Sequence, residues 1–326
     1  MDIKGKVSSL LRENKGEYVS GENIAEQTGV SRAAVWKCIR SLRNDGFNIE
    51  AVTNKGYRLV SCEDIISVDG INSYLDSSLG KRLSINVISS VTSTNRLVKD
   101  MAIQGKCEGY VLVSGHQTEG RGRLGRSFYS PSDSGVYMSI LLRPSINPQD
   151  ATLITTAAAV SVCEALEKLG VSGTGIKWVN DIFIGDRKAC GILTEAGFDI
   201  ENNLLSYAVL GVGLNMYMPD GGFPEDIKDI AGAVLSCREE DARNLFVASF
   251  LSSFFKYYGD IEDRPHIASY RDKCFVLGKE INIIKGDTVT RARALDIDDN
   301  CGLVVELSDG ENAVISSGEI SIRTIK

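Results

Sequence analysis

Gly115-His-Gln-Thr-Glu-Gly-Arg-Gly-Arg-Leu-Gly-Arg126 decides how the middle of this 326-residue chain is built. Within it, Gly120-Arg-Gly-Arg-Leu-Gly125 spells the G-x-G-x-x-G of a dinucleotide-binding turn. That spelling carries weight only where a helix opens at it and takes a pyrophosphate on its N-terminus. Here the chain runs on as Arg126-Ser-Phe-Tyr-Ser-Pro-Ser-Asp-Ser-Gly135, a stretch of turn formers that excludes a helix, so the Rossmann reading fails. Arginines interleaved with glycines read better as an anion-clasping loop. Glycine lets the backbone close over a ligand, and guanidinium groups supply charge-assisted bonds to phosphate or carboxylate. The competing reading, a solvated or RNA-binding basic loop, fits poorly with a site inside an acidic folded region.

On either side of the loop, strand-like and helix-like patterns alternate. Strands are expected at 85–90, 110–114, 136–142, 175–179, 182–185, 191–195 and 205–214, and helices at 94–104, 151–169 and 242–258. This is a mixed α+β unit around a sheet. Lys177-Trp-Val-Asn-Asp181 followed by Arg187-Lys-Ala-Cys-Gly-Ile-Leu-Thr-Glu195 reads as a hairpin bringing Lys177, Asn180 and Lys188 towards one space. A lysine beside phosphate acts as a point charge on the negative charge that develops in phosphoryl or adenylyl transfer, although either lysine alone is more often a surface residue. Gly211-Val-Gly-Leu-Asn-Met216 adds a strand end open to close backbone approach, with an amide, Asn215, able to read a base. From about 271 onward, short alternating runs at 280–284, 288–296, 303–307 and 313–316 give the pattern of a small all-β barrel.

The N-terminal segment has a different character. Residues 1–60 carry a net charge of +3, against −10 for the remainder of a chain whose total is −7. A basic head on an acidic body confines any DNA binding to the head. Ile24 and Ala25 begin a short helix that Gly29 ends, and Ser31 caps a second helix. In that helix Val35, Ile39 and Leu42 form a buried stripe, Arg32, Trp36, Lys37, Arg40 and Arg43 lie on the other side, and Gly46 is the stop. Strands at 49–52 and 57–60 around Asn54-Lys55-Gly56 make a wing whose lysine can rest on phosphate. Helix, glycine turn, capped basic helix and wing together suit a major groove. Trp36 is left as either a packing residue or a DNA contact.

Composition narrows the chemistry. An apolar fraction of 43% with 24% charged residues suits a soluble globular protein. No apolar run approaches the roughly 18–20 residues of a membrane span. The N-terminus lacks a signal-peptide core, and the chain reads as cytoplasmic. Eight scattered cysteines without a Cys-x-x-Cys pair read as reduced. With only His116 and His266, His-based zinc sites and a Ser-His-Asp triad are poorly supplied.

Ser93-Thr-Asn95, Gln117 with Gly120–Arg126, Lys177-Trp-Val-Asn-Asp181, Arg187-Lys-Ala-Cys-Gly-Ile-Leu and Gly211-Val-Gly-Leu-Asn-Met216 stand in the order seen in biotin–protein ligases. Ser31-Arg-Ala-Ala-Val-Trp-Lys, Lys55-Gly-Tyr-Arg-Leu and Gly318-Glu-Ile-Ser-Ile-Arg323 resemble the bifunctional class of that family. The resemblance covers essentially the whole chain. It implies an α+β multidomain protein: a winged helix-turn-helix at 1–62, a catalytic domain of the biotin/lipoate ligase type at 65–270, and an SH3-like β-barrel at 271–326.

The activity implied is ATP-dependent: biotin and ATP give biotinyl-5′-AMP and pyrophosphate, and a lysine of a biotin carboxyl carrier domain then displaces AMP. By the same resemblance Ser93, Thr94, Asn95 and Gln117 line the biotin site. Arg121, Gly122 and Arg123 close over the intermediate, and Lys188 meets the biotin carboxylate and α-phosphate. Arg126, Phe128, Asn180 and Asn215 lie near the nucleotide. Mg²⁺ is expected with the triphosphate, its ligands unassigned.

The DNA-facing set is Ser31, Arg32, Ala33, Trp36, Lys37, Arg40 and Lys55, with biotinyl-AMP as corepressor, a ligand-promoted homodimer and operator DNA. Val179 replaces the family's usual proline, a change of local stiffness more than of chemistry. Phe128 stands where some relatives have tryptophan and still offers an aromatic face. The alternatives are a catalytically inactive biotin-sensing repressor, a ligase whose helix-turn-helix is silent, and a lipoate-transferring relative.

Overall fold

The computed structural model describes residues 3–44, 47–62, 64–199, 201, 204–285, 288–316 and 321–324. The N-terminal unit is α1 (Ile3–Glu13), α2 (Gly21–Thr28), α3 (Arg32–Asn44) and the antiparallel pair β1 (Phe47–Val52) and β2 (Gly56–Cys62). Helix α2 starts at Gly21, ahead of the expected Ile24, because the Ser20 side chain accepts the Asn23 N–H at 3.1 Å. Gly29 ends it with a left-handed φ of 72°. Ser31 Oγ accepts the Ala34 N–H at 3.2 Å and opens α3. Val35, Ile39 and Leu42 pack with Val7, Leu11, Ile24 and Leu59 into a separate small core. The expected stop at Gly46 lies outside the described residues. At Gly56, with φ 104°, an added Cβ would run into the Val19 carbonyl oxygen; Val19 and Tyr57 exchange backbone bonds at 2.8 and 2.9 Å there.

Two short helices follow that periodicity did not announce, α4 (Val68–Tyr74) and α5 (Ser77–Arg82). Each is two turns or fewer and is set by its cap: Ser67 accepts from Gly70, and Asp76 accepts from Ser78. Then come β3 (Ser84–Ile88), α6 (Thr94–Ile103), β4 (Tyr110–Ser114), β5 (Gly135–Leu142), α7 (Ala151–Lys168), β6 (Thr174–Lys177), β7 (Asp181–Ile184), β8 (Arg187–Asp199), β9 (Leu204–Asn215), α8 (Ala242–Gly259) and α9 (Ile267–Lys273).

The seven-stranded sheet has the order β3-β4-β5-β9-β8-β7-β6, and its one parallel pair is β3–β4. Strand β5 is buried at every position. Val136, Met138, Ile140 and Leu142 face the large core that contains α7 and α8, while Leu141 joins Val98, Ala102, Leu112 and Val209 under α6. Burial on both faces is why its sequence runs apolar without alternation. Strand β8 is longer than expected: it runs from Arg187, pairing first with β7 and then with β9, so Lys188 sits on a rigid strand.

The C-terminal unit is a five-stranded antiparallel sheet, β10 (Glu280–Lys285), β11 (Thr288–Ile297), β12 (Leu303–Leu307), β13 (Asn312–Ile315) and β14 (Ser321–Thr324), in the order β13-β12-β11-β10-β14. Among the described residues β13 and β14 form its edges. Of the quoted Gly318–Arg323 stretch, 318–320 lie outside the described residues. Ile281, Ala294, Leu303 and Val305 share one continuous core with α7, α8 and α9, so this sheet is fused to the central body and not strung from it.

A buried polar knot joins the linker after β2 to the central unit. Asp64, 1% exposed, accepts from the Arg243 backbone N–H at 2.8 Å, from Arg243 Nε at 2.9 Å and from the Tyr217 hydroxyl at 2.5 Å. Beside it, Arg12 of α1 pairs with Asp241 at 2.7 Å, and Lys15 pairs with Glu240. Removing one partner of a buried pair strands the other charge. Asp64→Ala should therefore cost about 3–5 kcal/mol, read as an earlier midpoint in urea unfolding. A midpoint within experimental error of the wild type would contradict this account of the knot.

Candidate active site

The N-terminus of α6, the glycine–arginine loop, the 177–181 turn and the start of β8 surround a cavity of about 1150 Å³. Its polar end is built from Thr94, Asn95 and Gln117. Gln117 Oε1 accepts the Thr94 N–H at 2.8 Å and lies 3.2 Å from the Thr94 hydroxyl, while its Nε2 donates to Ser130 Oγ at 3.1 Å. Asn95 Nδ2 donates to Glu195 Oε2 at 3.0 Å and Leu193 O at 3.3 Å, and Asn95 Oδ1 accepts from the Ser139 hydroxyl at 2.6 Å. An amide oxygen has two lone pairs and an amide nitrogen two protons. One acceptor lobe on Asn95 and one donor on Gln117 remain for a ligand carrying both an N–H and a C=O. Ser93, 1% exposed, completes this wall.

Gly211 makes the wall possible. A Cβ there would fall on Asn95 Oδ1. Gly191 and Gly213 do the same for Phe128, whose ring atoms would lie 3.1 and 2.7 Å from added Cβ atoms. Phe128 thus lies on a bare strip of sheet, in a T-shaped contact with Tyr137 at 6.3 Å between centroids.

The loop is a small hairpin. Gly122 N–H donates to Arg126 O at 2.7 Å, and Phe128 N–H to Gly120 O at 2.9 Å. Leu124 at its tip has φ 55° and Gly125 φ 73°. Two of its arginines, and Lys188 across the cavity, are set against counter-groups. Arg123 Nη1 donates to Asn180 Oδ1 at 3.0 Å, and burial pulls its pKa down from the ordinary arginine value while nearby Asp181 opposes the shift. Arg121 Nη1 lies 3.6 Å from Glu195 Oε1. Lys188 Nζ lies 2.6 Å from Asp181 Oδ1, off the line of a hydrogen bond, so the contact is chiefly ionic. Asn180 Nδ2 donates to Ile192 O at 2.8 Å and fixes the 177–181 turn to β8. The Trp178–Val179 peptide bond in this turn is cis. Lys177 also lines the cavity, its ammonium 5.8 Å from the Phe183 ring centroid.

Ser93, Thr94, Asn95, Gln117, Arg121, Gly122, Arg123, Arg126, Phe128, Asn180 and Lys188 all line this one cavity. Asn215 does not. It is 8% exposed, and its Nδ2 donates to Gly232 O at 3.2 Å, which holds the segment after β9 in place. Ser139, Asp181 and Glu195 were passed over as site-forming residues. The one sequence signal for Ser139 was a hydroxyl interrupting the buried run Val136-Tyr-Met-Ser-Ile-Leu-Leu142. Among the described residues no three His, Cys, Asp or Glu side chains group closely enough to hold a metal ion.

On the N-terminal unit, Arg32, Ala33, Trp36, Lys37 and Arg40 lie on one exposed face of α3. Trp36 is 53% exposed with Arg40 stacked 5.8 Å from its ring centroid, so it is not a packing residue. Lys55 is exposed at the wing turn, 5.6 Å from the Tyr18 ring centroid. Arg43, read as part of the basic face, is instead structural: Nε and Nη2 both donate to Ile49 O, at 2.8 and 2.6 Å, locking the wing to α3.

A helix-turn-helix unit joined to a mixed sheet, with a cavity lined by paired cations and amides, defines a two-part class of protein: a DNA-binding type of unit on a body built to take an anionic ligand. Residues 6–58 match an HTH domain, 87–215 the biotin/lipoate A/B protein ligase family, and 276–323 the biotin protein ligase C terminal domain. The chain is 32% identical over 320 residues to the bifunctional ligase/repressor BirA of Bacillus subtilis, covering 97% of each chain. It is 29% identical over 323 residues to BirA of Escherichia coli, covering 98% of this chain and 97% of that one. The chain belongs to the bifunctional ligase/repressor family of biotin protein ligases. In fold it is similar to a biotin protein ligase from Aquifex aeolicus in complex with biotin and ATP. That likeness has a TM-score of 0.62 at 24% identity, over 74% of this chain and 99% of that one.

Gly211→Ala tests the wall directly. Its methyl must push Asn95 off both Ser139 and Glu195, which should lower stability by about 1–3 kcal/mol in urea unfolding. An unchanged midpoint with biotin affinity intact would show that Asn95 is not held as described.

Proposed function

We propose that this chain is an ATP-dependent biotin–protein ligase whose intermediate, biotinyl-5′-AMP, also acts as corepressor for DNA binding by the N-terminal unit. The observation that carries the reading is the sequence of chemistry along one cavity. A fixed acceptor–donor pair, Asn95 and Gln117, suits the N–H and C=O of a urea ring, and the cations Arg123 and Lys188 lie further along. Biotin has a urea at one end and a carboxylate at the other, and ATP brings the phosphates.

In the first step a biotin carboxylate oxygen attacks the α-phosphorus of ATP. The bond to the bridging oxygen breaks, and pyrophosphate leaves with its magnesium. Arg121 and Arg123 close over the reacting groups, and Lys188 neutralises the carboxylate and α-phosphate as they approach. The acid anhydride then meets the amine of an acceptor lysine on a biotin carboxyl carrier domain. The neutral amine attacks the carbonyl carbon, AMP leaves with the bonding pair, and the nitrogen gives up a proton to solvent as the amide forms. No side chain of the protein becomes covalently bound, so its contribution is placement and electrostatic stabilisation.

The reading divides the chain into a DNA-binding unit at 1–62, a catalytic unit at 65–270 and a C-terminal unit at 271–326, and it places the protein in the cytoplasm. No helix of the described residues is long and apolar enough to cross a membrane. Biotinyl-AMP promotes a homodimer, and two N-terminal units then grip a two-fold operator, as a two-fold protein on a two-fold site requires.

The ligase is tested by the intact mass of a carrier domain incubated with the protein, biotin and MgATP. The expected gain is one biotin on a lysine, absent without ATP. Lys188→Ala should slow formation of biotinyl-AMP by about 10²–10³-fold. Absence of any gain across several acceptors, with biotin still bound, would instead support a sensor without catalysis. For the DNA-binding unit, Lys37→Ala should weaken operator binding and reduce the slope of log K against log salt by about one, the mark of one lost phosphate contact. A variant with the wild-type slope would remove Lys37 from the interface.

A further inference from the structure

We propose that Glu195 is a positioning residue: it fixes the sense of the Asn95 amide and ties that amide to the Arg121 end of the glycine–arginine loop. The inference rests on the biotin-ligase reading of the cavity. Glu195 stands in the middle of β8, and its carboxylate is divided between two tasks. Oε2 accepts from Asn95 Nδ2 at 3.0 Å, and Oε1 lies 3.6 Å from Arg121 Nη1.

Asn95 alone could present either end of its amide to a ligand. The Ser139 hydroxyl beside it both donates and accepts, so it does not choose between them. Glu195 and the Leu193 carbonyl do choose, because both only accept. With Nδ2 turned to these two acceptors, Oδ1 faces Ser139 and the cavity. A flipped amide would set oxygen against oxygen at Glu195 and leave two acceptors unmatched. The free lobe of Asn95 is therefore an acceptor, and it selects a ligand N–H.

The second task is looser. At 3.6 Å the Arg121 contact is longer than the roughly 2.7–2.9 Å of a charge-assisted hydrogen bond. Arg121 is also 52% exposed against 23% for Glu195, so salt screens the pair. One carboxylate is thus held firmly on the pocket side and weakly on the loop side. Movement of the loop would therefore break only the weaker of the two contacts and leave the Asn95 wall in place.

Glu195→Leu keeps roughly the size of the side chain and removes both its charge and the acceptor that faces Asn95 Nδ2. Two measurements on the full chain test the proposal: biotin Kd beside MgATP KM, and release of preformed biotinyl-AMP at low and high salt. Biotin Kd should rise about 5–20-fold, the range for one misdirected hydrogen bond. MgATP KM should stay within about two-fold, because only ground-state binding of biotin is touched.

Release of the intermediate should be faster than in the wild type at low salt. The two proteins should converge at high salt, where the wild-type ion pair is screened. Glu195→Asp, which keeps an acceptor there, should recover part of the biotin affinity. An unchanged biotin Kd overturns the proposal. So does a parallel rise in both constants with a lowered Tm, which would mark a merely structural residue. A wild-type chain that binds no biotin overturns the functional reading and this inference with it. Wild-type binding with an unaltered variant overturns the inference alone.

Discussion

Everything at the site follows from how closely the start of α6 approaches the sheet. Asn95 occupies the space above Gly211 where any other residue would have a side chain, and from there it reaches Ser139 on β5 and Leu193 and Glu195 on β8. Two strands and a helix are tied together by one amide, and the hydroxyl of Thr94 and the amide of Gln117 join the same network. Buried polar networks stabilise only when every member is satisfied. This one is satisfied except where it faces the cavity, which is where a ligand completes it.

Such a network is also why part of the site could be read in the sequence and part could not. The glycine–arginine loop, the Lys177–Asp181 turn and Lys188 declare themselves by residue type, because charge in a glycine-rich or strand-end setting has few structural uses. Ser139 and Glu195 carry no such mark. Their importance comes from pairings across strands, Ser139 with Gly211 and Glu195 with Val209, that only the sheet register creates. Asn215 also has a structural bond that its neighbouring glycines do not announce, from its Nδ2 to the Gly232 carbonyl.

The fold was legible where periodicity was long. Helices α6, α7 and α8 and the strands of the central sheet fall close to their expected positions, because burial imposes a repeat over many residues. Helices α4 and α5 were not legible. Each is too short to show a stripe and is specified by a single capping side chain. The wing and the turn at Gly29 were readable for the converse reason, since a left-handed backbone restricts the residue that can occupy it. Arg43 shows the limit of reading charge from a helical wheel. It sits beside Arg40 on the wheel, yet a carbonyl of the neighbouring strand claims its guanidinium.

The segment between β9 and α8 links the two ends of the molecule. At one end it pairs with Lys188 through its backbone: Lys188 N–H donates to Ile230 O at 2.7 Å, and Gly232 N–H to Lys188 O at 2.9 Å. At the other end Asp241 holds Arg12 of the DNA-binding unit, beside the Asp64 knot. The strand carrying the principal cation of the cavity and the helix anchoring the DNA-binding unit are thus braced by one stretch of chain. The cations themselves are set against acidic or amide partners, Lys188 by Asp181, Arg121 by Glu195 and Arg123 by Asn180. An anion entering the cavity must displace or share those partners, so a small anion gains little from a single contact. A ligand that also fills the Asn95–Gln117 end gains enough to reorganise them, and selectivity follows from needing both ends at once.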